Sequence, residues 1–504
     1  MSIPVIDVFA GPGGLGEGFS SFQLDNKKIF NTVLSIEMDN YAHETLTLRS
    51  FYRQFKKREV PEDYYRVLRK KLTVEKLFKN WPEEAKVAKK EAWKAKLGYD
   101  EDSETPEEVD RRIRNALPSN NEEWVLIGGP PCQAYSVVGR SRRQEKVLDA
   151  DKDERVDLYK QYLRILEEHQ PAAFVMENVK GMLSARSKSN SIFEKIRTDF
   201  KESGYKIFSL VRESRNNLFD DPEFEPEDFV IRCENYGIPQ TRHRVIILGI
   251  REDFYEKQPD ILEKKPPVSI SKVIDDLPRL RSGLSRQKNN WENWSSKVGE
   301  ITLNGAMKAL DDKVEKLIRR TVKNIRNPQK NDGEEFVENR ADYSPLEYET
   351  KWYYDDNIGG ICNHVSRGHM GSDLHRYLFA SSFAQVNNRS PKLEDFPKDL
   401  LPNHKNVKEA IKTKKFADRF RVQLEDKPSK TITSHISKDG HYYIHYDPSQ
   451  CRSLTVREAA RIQTFPDNYF FCGPRTAQYK QVGNAVPPLL AIQIAKIVFS
   501  IFDM

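Results

Sequence analysis

The sequence predicts an α/β fold: a mostly parallel sheet wound with helices, carrying a second, smaller and irregular domain. Three observations predict it. Short apolar, strand-like runs stand at residues 4–9, 32–37, 124–128, 172–176, 207–211 and 244–249. The last four are separated by stretches able to hold helices, the pattern of βαβ units. The first run passes straight into a glycine-rich turn, Phe9-Ala10-Gly11-Pro12-Gly13-Gly14-Leu15-Gly16. From about residue 252 to 452 the periodicity fades, and polar residues, Trp and Tyr become frequent.

The elements follow in order. Residues 49–123, between the second and third runs, are dense in Lys, Arg, Glu and Ala and read as a charged, solvated helical insertion. Regular helix signals return after residue 452. Thr455 to Glu458 form a capping box, and the helix they start should stop before Pro466. Pro487-Pro488 suits the opening of a terminal helix. The expected domains are thus 1–251, with the insertion at about 49–123, then 252–452, then a segment 453–504 that packs back on the sheet.

Composition bounds the class. The 504 residues are 38% hydrophobic, 31% charged and 11% aromatic, as in a globular chain with a very polar surface. A net charge of +6 does not by itself indicate nucleic acid. The cysteines are Cys132, Cys233, Cys362, Cys451 and Cys472. An odd number without a CxxC pair argues against a disulfide framework and against structural zinc, and favours a reducing, cytoplasmic compartment. No secretory signal opens the chain. The longest apolar stretch, 489–502, contains Gln493 and Lys496 and is too short to span a bilayer, so no membrane partner is expected.

Gly11, Gly13 and Gly16 match G-x-G-x-x-G between a strand and a helix, and Glu37 ends the second strand, where an acid binds ribose hydroxyls. A dinucleotide and S-adenosylmethionine both satisfy that geometry. Cys132 stands in Gly128-Gly129-Pro130-Pro131-Cys132-Gln133-Ala134-Tyr135-Ser136. The Pro-Pro pair stiffens the backbone and removes two donors, which suits a loop that holds one side chain in place. Glu177-Asn178-Val179 follows another run. In an open α/β sheet, ligands bind beyond the carboxyl ends of the strands, so these segments converge on one rim.

Six blocks, in this order, resemble the C5-cytosine DNA methyltransferases of bacterial and phage restriction–modification systems. They are Asp7-Val8-Phe9-Ala10-Gly11-Pro12-Gly13-Gly14, Gly129-Pro130-Pro131-Cys132-Gln133, Glu177-Asn178-Val179, Gln240-Thr241-Arg242-His243-Arg244, Arg457-Glu458-Ala459-Ala460-Arg461 and Gln481-Val482-Gly483-Asn484-Ala485. The resemblance covers about the first 250 residues and the last 50. It implies a Rossmann-like, S-adenosylmethionine-dependent catalytic sheet and a target-recognition domain. C5 of cytosine is too poor a nucleophile to take a methyl group from a sulfonium. A thiolate adding to C6 makes C5 enamine-like, a role the resemblance gives to Cys132. Glu177 would protonate N3. Arg244 would contact O2, and Arg242 would support the same pocket. Phe9, Ala10, Gly11, Gly13, Gly14 and Leu15, with Gly129 and Pro131, would surround the cofactor. Glu37 would bind its ribose and Met38 would lie beside the adenine, while Asn484 and Ala485 would close the pocket. One departure is plain: the acid that usually binds the adenine amino group falls within residues 49–123 and is not located.

Double-stranded DNA is the expected partner, and the target base must be flipped out to be reached. The resemblance gives DNA contacts to Gln133, Ser136, Arg140, Arg142 and Arg143 in a basic loop after Cys132. In the irregular domain, Lys412 to Arg421 carries five basic residues with Phe416 and Phe420 interleaved. Residues 428–433 resemble the recognition turn, with Thr431 and Thr433 as contacts. His435, His441 and His445 do not match a zinc motif, and no metal is expected. A monomer is expected, with a partner restriction endonuclease encoded nearby. A tRNA cytosine-5 methyltransferase would carry a Cys-Phe-Thr tripeptide, which is absent. An inactive, methyltransferase-like regulator would have lost the Pro-Cys or the glycine loop, and both are intact.

Overall fold

A computed structural model describes residues 2–56, 59–119, 123–131, 158–187, 190–214, 223–256, 258–303, 305–338, 348–403, 405–414 and 417–502. The chain divides into two compact units. The first holds residues 1–60, 74–266 and 484–504, and the second holds 61–73 and 267–483.

The first unit is built on an eight-stranded sheet. Its strands are β1 (Ile3–Val8), β2 (Phe30–Glu37), β3 (Ala92–Lys94), β4 (Val125–Gly128), β5 (Ala173–Val179), β6 (Tyr205–Phe208), β7 (Val230–Arg232) and β8 (His243–Arg251). The order is β6-β8-β5-β4-β1-β2-β3, with β7 also pairing with β8. Strands β5, β4, β1, β2 and β3 run parallel. Val5 to Val8, Val125 to Ile127 and Ala173 to Met176 are buried without alternation, as expected of parallel strands covered on both faces. The run expected at 207–211 begins at Tyr205 and is antiparallel to β8, which is itself antiparallel to β5. The helices of this unit include α1 (Gly14–Ser21), α2 (Asn40–Arg53), α3 (Pro82–Glu91), α4 (Pro106–Ala116), α5 (Leu158–His169) and α6 (Ile192–Glu202).

Register decides what meets at the sheet's edge. Val8 pairs with Ile36 and with Gly128, and Gly128 pairs with Met176. The ends of β1, β2 and β4 therefore lie level, with Glu177 one residue beyond. Glu177 faces Ile246 of β8, and Arg244 faces Val179. The antiparallel strand thus starts where the parallel ones finish.

Three sequence boundaries are corrected. First, residues 49–123 are not one solvated insertion. Arg49 is buried and bonds the buried Glu17 of α1, β3 is a strand of the main sheet, and Pro61–Thr73 belongs to the second unit. Tyr64 and Tyr65 anchor that last piece, donating to the Asn468 carbonyl (2.9 Å) and to Asp355 (3.0 Å). Second, residues 252–266 stay with the sheet, where Leu262 N–H bonds the Leu210 carbonyl and Lys265 N–H that of Asn235. Third, residues 453–483 belong to the second unit. Arg457 donates there to the carbonyls of Cys362, Pro466 and Tyr469, and Arg461 forms a bidentate pair with Asp467 at 2.9 and 2.7 Å.

The second unit is largely irregular. Its longer pieces are the helices Asp312–Asn324 and Gly371–Asn387 and the antiparallel pair Gly333–Glu338 with Gly360–Val365. The capping box forms as expected, Thr455 with Glu458, on a helix Val456–Ile462. The terminal helix of the chain is Pro488–Phe502, whose residues Leu490, Ala491, Ile494 and Val498 are buried in the core of the first unit. Counted from Arg475, this region is long and apolar enough to cross a membrane by length and composition, beyond the short stretch read from sequence. Most of it is buried inside the protein, as in a core helix.

Candidate active site

The glycine loop is shaped by backbone conformations that few side chains tolerate. Phe9, Gly11 and Gly13 all have positive φ (56°, 58° and 89°). Phe9 carries the strain of a non-glycine residue there, a feature that concentrates at functional sites. Among the described residues, a Cβ on Gly11 would meet no atom within 4 Å, which leaves room above the loop's backbone. A Cβ on Gly14 would lie 2.2 Å from the Val486 carbonyl oxygen, and the chain just after Asn484 and Ala485 can pass only because Gly14 has none. Gly16 answers a third need: its Cβ would sit 3.0 Å from the buried Asp7 carboxylate.

Glu37 ties the loop to β2. One carboxylate oxygen accepts from Gly11 N–H and the other from Asp39 N–H, both at 2.7 Å. Burial pushes this carboxyl upward, and the two N–H groups act against it. A carboxylate oxygen can accept more than one hydrogen bond, the capacity that two vicinal hydroxyls require. Met38, next along, is 59% exposed, an uncovered apolar surface beside Glu37.

Across the same edge lies a second group. Arg244 Nε is 2.8 Å from Glu177 Oε1, and both side chains are mostly buried. Gly129 makes space for that carboxylate, since a Cβ there would lie 3.1 Å from Glu177 Oε2. Arg242 is 2% exposed, and its carbonyl accepts from Cys233 N–H. Sequence reading missed the work of Asn178. Its amide donates to the Pro130 carbonyl at 3.3 Å, and its oxygen accepts from Val179 N–H at 2.8 Å. The Pro-Pro backbone has no N–H groups to tie it down, and Asn178 holds it by a carbonyl instead. The signal was the amide directly after the acid at a strand end.

The structure therefore brings together Phe9 to Leu15, Glu37, Met38, Gly129, Pro131, Glu177, Arg242, Arg244 and Ala485, with Asn484 exposed beside them. Cys132, Gln133, Ser136, Arg140, Arg142 and Arg143 lie outside the described residues, as does Phe416 of the basic run. Thr431 and Thr433 are half-buried in the second unit. The acid not located in the sequence would follow β3. The loop after that strand carries the exposed Tyr99 and Asp100, and Asp100 bonds Lys96 and Ser103.

Comparison with known proteins gives the chain's family and supports its fold. A crystal structure of an E. coli protein described as a DNA modification methyltransferase encoded within a prophage superposes with a TM-score of 0.52 at 18% identity, covering 100% of both chains. The type II methyltransferase M.Bpa9945I of Bacillus paralicheniformis is 35% identical over 99% of each chain. The type II methyltransferase M.DdeI of Desulfomicrobium norvegicum is 25% identical over 98% of this chain and 87% of its own. The DNA (cytosine-5-)-methyltransferase M.ApeKI of Aeropyrum pernix is 26% identical over 75% of this chain and 81% of its own. The family model for C-5 cytosine-specific DNA methylases matches residues 87–500. With that match and a relative 35% identical along its whole length, the chain belongs to the C-5 cytosine-specific DNA methylase family.

Proposed function

We propose that this enzyme methylates C5 of a cytosine flipped from duplex DNA, as the modification partner of a restriction endonuclease. The observation that carries the reading is the paired arrangement at one sheet edge: Glu37 on the glycine loop, and Glu177 with Arg244 beside the Pro130-Pro131 backbone that leads to Cys132. The residues fit S-adenosylmethionine, through the open space over Gly11, the lone pairs of Glu37 and the apolar surface of Met38. When bound, that cofactor supplies an electrophilic methyl group.

The chain's own residues do the rest. The Cys132 thiolate adds to C6 of cytosine and breaks its aromaticity. Glu177 delivers a proton to N3, so that the electron pair pushed from C6 is accommodated and C5 becomes nucleophilic. Arg244 holds Glu177 and offers guanidinium donors to O2, and Arg242 backs it. Asn178 fixes the approach of the cysteine. After transfer, a base, for which water can serve, takes the C5 proton; the C–H electron pair re-forms C5=C6 as the C6–S bond breaks and the thiolate leaves, and N3 returns its proton to Glu177. Gln133, Ser136, Arg140, Arg142 and Arg143, with Thr431, would contact the duplex, while Thr433, expected from sequence as a further contact, has its hydroxyl paired with Tyr443.

The test is expression in a host free of cytosine methylation, with bisulfite sequencing of the host DNA and a Cys132→Ala control. Methylation at one short sequence, lost in the control, is the expected result. Unmethylated DNA from folded protein that binds S-adenosylmethionine would overturn the reading and turn attention to RNA.

A further inference from the structure

The turn that holds Thr431 and Thr433 is fastened by two buried polar side chains that no catalytic step uses. Tyr443, 5% exposed, directs its hydroxyl at the turn's backbone. It accepts from Thr433 N–H (3.2 Å), pairs with Thr433 Oγ1 (2.9 Å) and donates to the Thr431 carbonyl (3.1 Å). A phenol has one donor and two acceptor lone pairs, so these three bonds complete its capacity. Gln423, 1% exposed, fastens the near side. Its Oε1 accepts from Lys430 N–H (2.9 Å) and Ser429 Oγ (3.1 Å), and its Nε2 donates to the Tyr442 carbonyl (2.8 Å).

The two fasteners brace each other. Gln423 N–H bonds the Ile444 carbonyl, and Ile444 N–H bonds the Arg421 carbonyl, so segments 421–423 and 441–444 run side by side. Behind the turn, Gly483 has no side chain because a Cβ would sit 2.2 Å from Thr433 C. Ile432 is fully buried, Thr431 is half-buried and Lys430 is exposed. Ile432 gives the turn an apolar anchor. Burying an amide and a phenol hydroxyl beneath it costs desolvation. Their effect is to fix where Lys430 and Thr431 project, so that little conformational freedom remains to be lost on binding.

We propose that Gln423 and Tyr443 are positioning residues that set the geometry of Lys430 and Thr431 against DNA and thereby the discrimination between the target sequence and its near neighbours. This rests on the reading that the turn meets the duplex. Thr433 belongs to the clamp, since its hydroxyl is engaged by Tyr443.

The test compares wild type, Tyr443→Phe, Thr433→Val and Thr431→Ala. The substrates are the duplex methylated in vivo and duplexes that differ from it by one base pair. Tyr443→Phe keeps the ring and removes only the hydroxyl. It is expected to raise KM for DNA about tenfold with a smaller fall in kcat, to cut the preference for the target about tenfold, and to leave KM for S-adenosylmethionine unchanged. Thr433→Val is expected to act likewise, and the double variant to be no worse than either single one. Discrimination altered by Thr431→Ala but untouched by Tyr443→Phe and Thr433→Val would overturn the clamp. Equal losses in both KM values and kcat would also overturn it, as general loosening. If Thr431→Ala too changes nothing, the turn does not meet DNA and the underlying reading fails.

Discussion

Cys233 is wholly buried, and burial pushes its thiol up to about 12 even with Arg242 and Arg244 nearby to lower it. Cys362 is likewise pushed up to about 12, Cys451 is shifted the same way, and Cys472 is buried. Burial of that kind works against a thiolate near neutral pH, which favours Cys132, in its Pro-Pro context, as the proposed nucleophile. The acid assigned to Glu177 can be tested as sharply. Glu177→Gln keeps the shape and one acceptor oxygen for Arg244 but has no carboxyl proton to deliver. Single-turnover methylation should slow by about 10²- to 10⁴-fold, while S-adenosylmethionine binding, followed by calorimetry, stays within about twofold. Equal losses in both would mean that Glu177 holds the pocket's shape rather than a proton.

At the scale of elements, α1 packs against both the sheet and the terminal helix, and glycine permits the approach. A Cβ on Gly18 would come within 2.3 Å of the Ala491 Cβ, and one on Gly14 within 2.2 Å of the Val486 carbonyl. The second obstacle is backbone, so it cannot swing aside. Gly14→Ala should therefore displace the segment at Ala485 and Val486, weaken S-adenosylmethionine binding more than tenfold, and lower the thermal midpoint. Calorimetry reads both effects, and an unchanged affinity would show that the terminal segment does not shape the pocket. The same contrast explains what the sequence could reveal. Strand β1, the glycine loop and Glu37 were legible because each is specified by a few neighbouring residues. The shared edge of the Gly129-Pro130 segment and Glu177 was legible because βαβ winding brings strand ends to one edge. The antiparallel course of β8 was not, since one apolar run resembles another whichever way it points. Nor was the place of Tyr64 and Tyr65, whose partners Asn468 and Asp355 lie about 290 to 404 residues away in sequence. Asn178 and Tyr443 were hidden for the same reason: their roles depend on a carbonyl that only the fold supplies.

At the scale of the whole molecule, buried titratable groups make the two units respond to pH in opposite senses. Asp7 lies in the first unit, 1% exposed, and burial raises its carboxyl from 3.8 to about 8. The folded unit then holds a proton that the unfolded chain releases above about pH 4. This contribution is complete below pH 4 and is lost as pH rises toward 8, at about 1.4 kcal/mol per pH unit at most. The second unit holds His364, whose Nε2 donates to the Pro278 carbonyl (2.9 Å) and whose Nδ1 accepts from Thr455 (3.0 Å). That neutral ring is lowered by burial from 6.5 to about 4, and His369 is lowered too. Here the unfolded chain takes up protons first, so stability is present above about pH 6.5 and is lost as pH falls toward 4. Scanning calorimetry from pH 5 to 8, above the range of the paired carboxylates such as Glu17, should show a transition that moves down as pH rises. A second should move up between pH 5 and 6.5, the lowered His364, His369 and His445 outweighing Asp275, whose carboxyl burial raises to about 6. Asp7→Asn replaces the buried acid with a neutral isostere and should flatten the first trend, raising that transition most at pH 8 and least at pH 5. A first transition that still falls with pH in the variant would mean that groups other than Asp7 carry the alkaline loss.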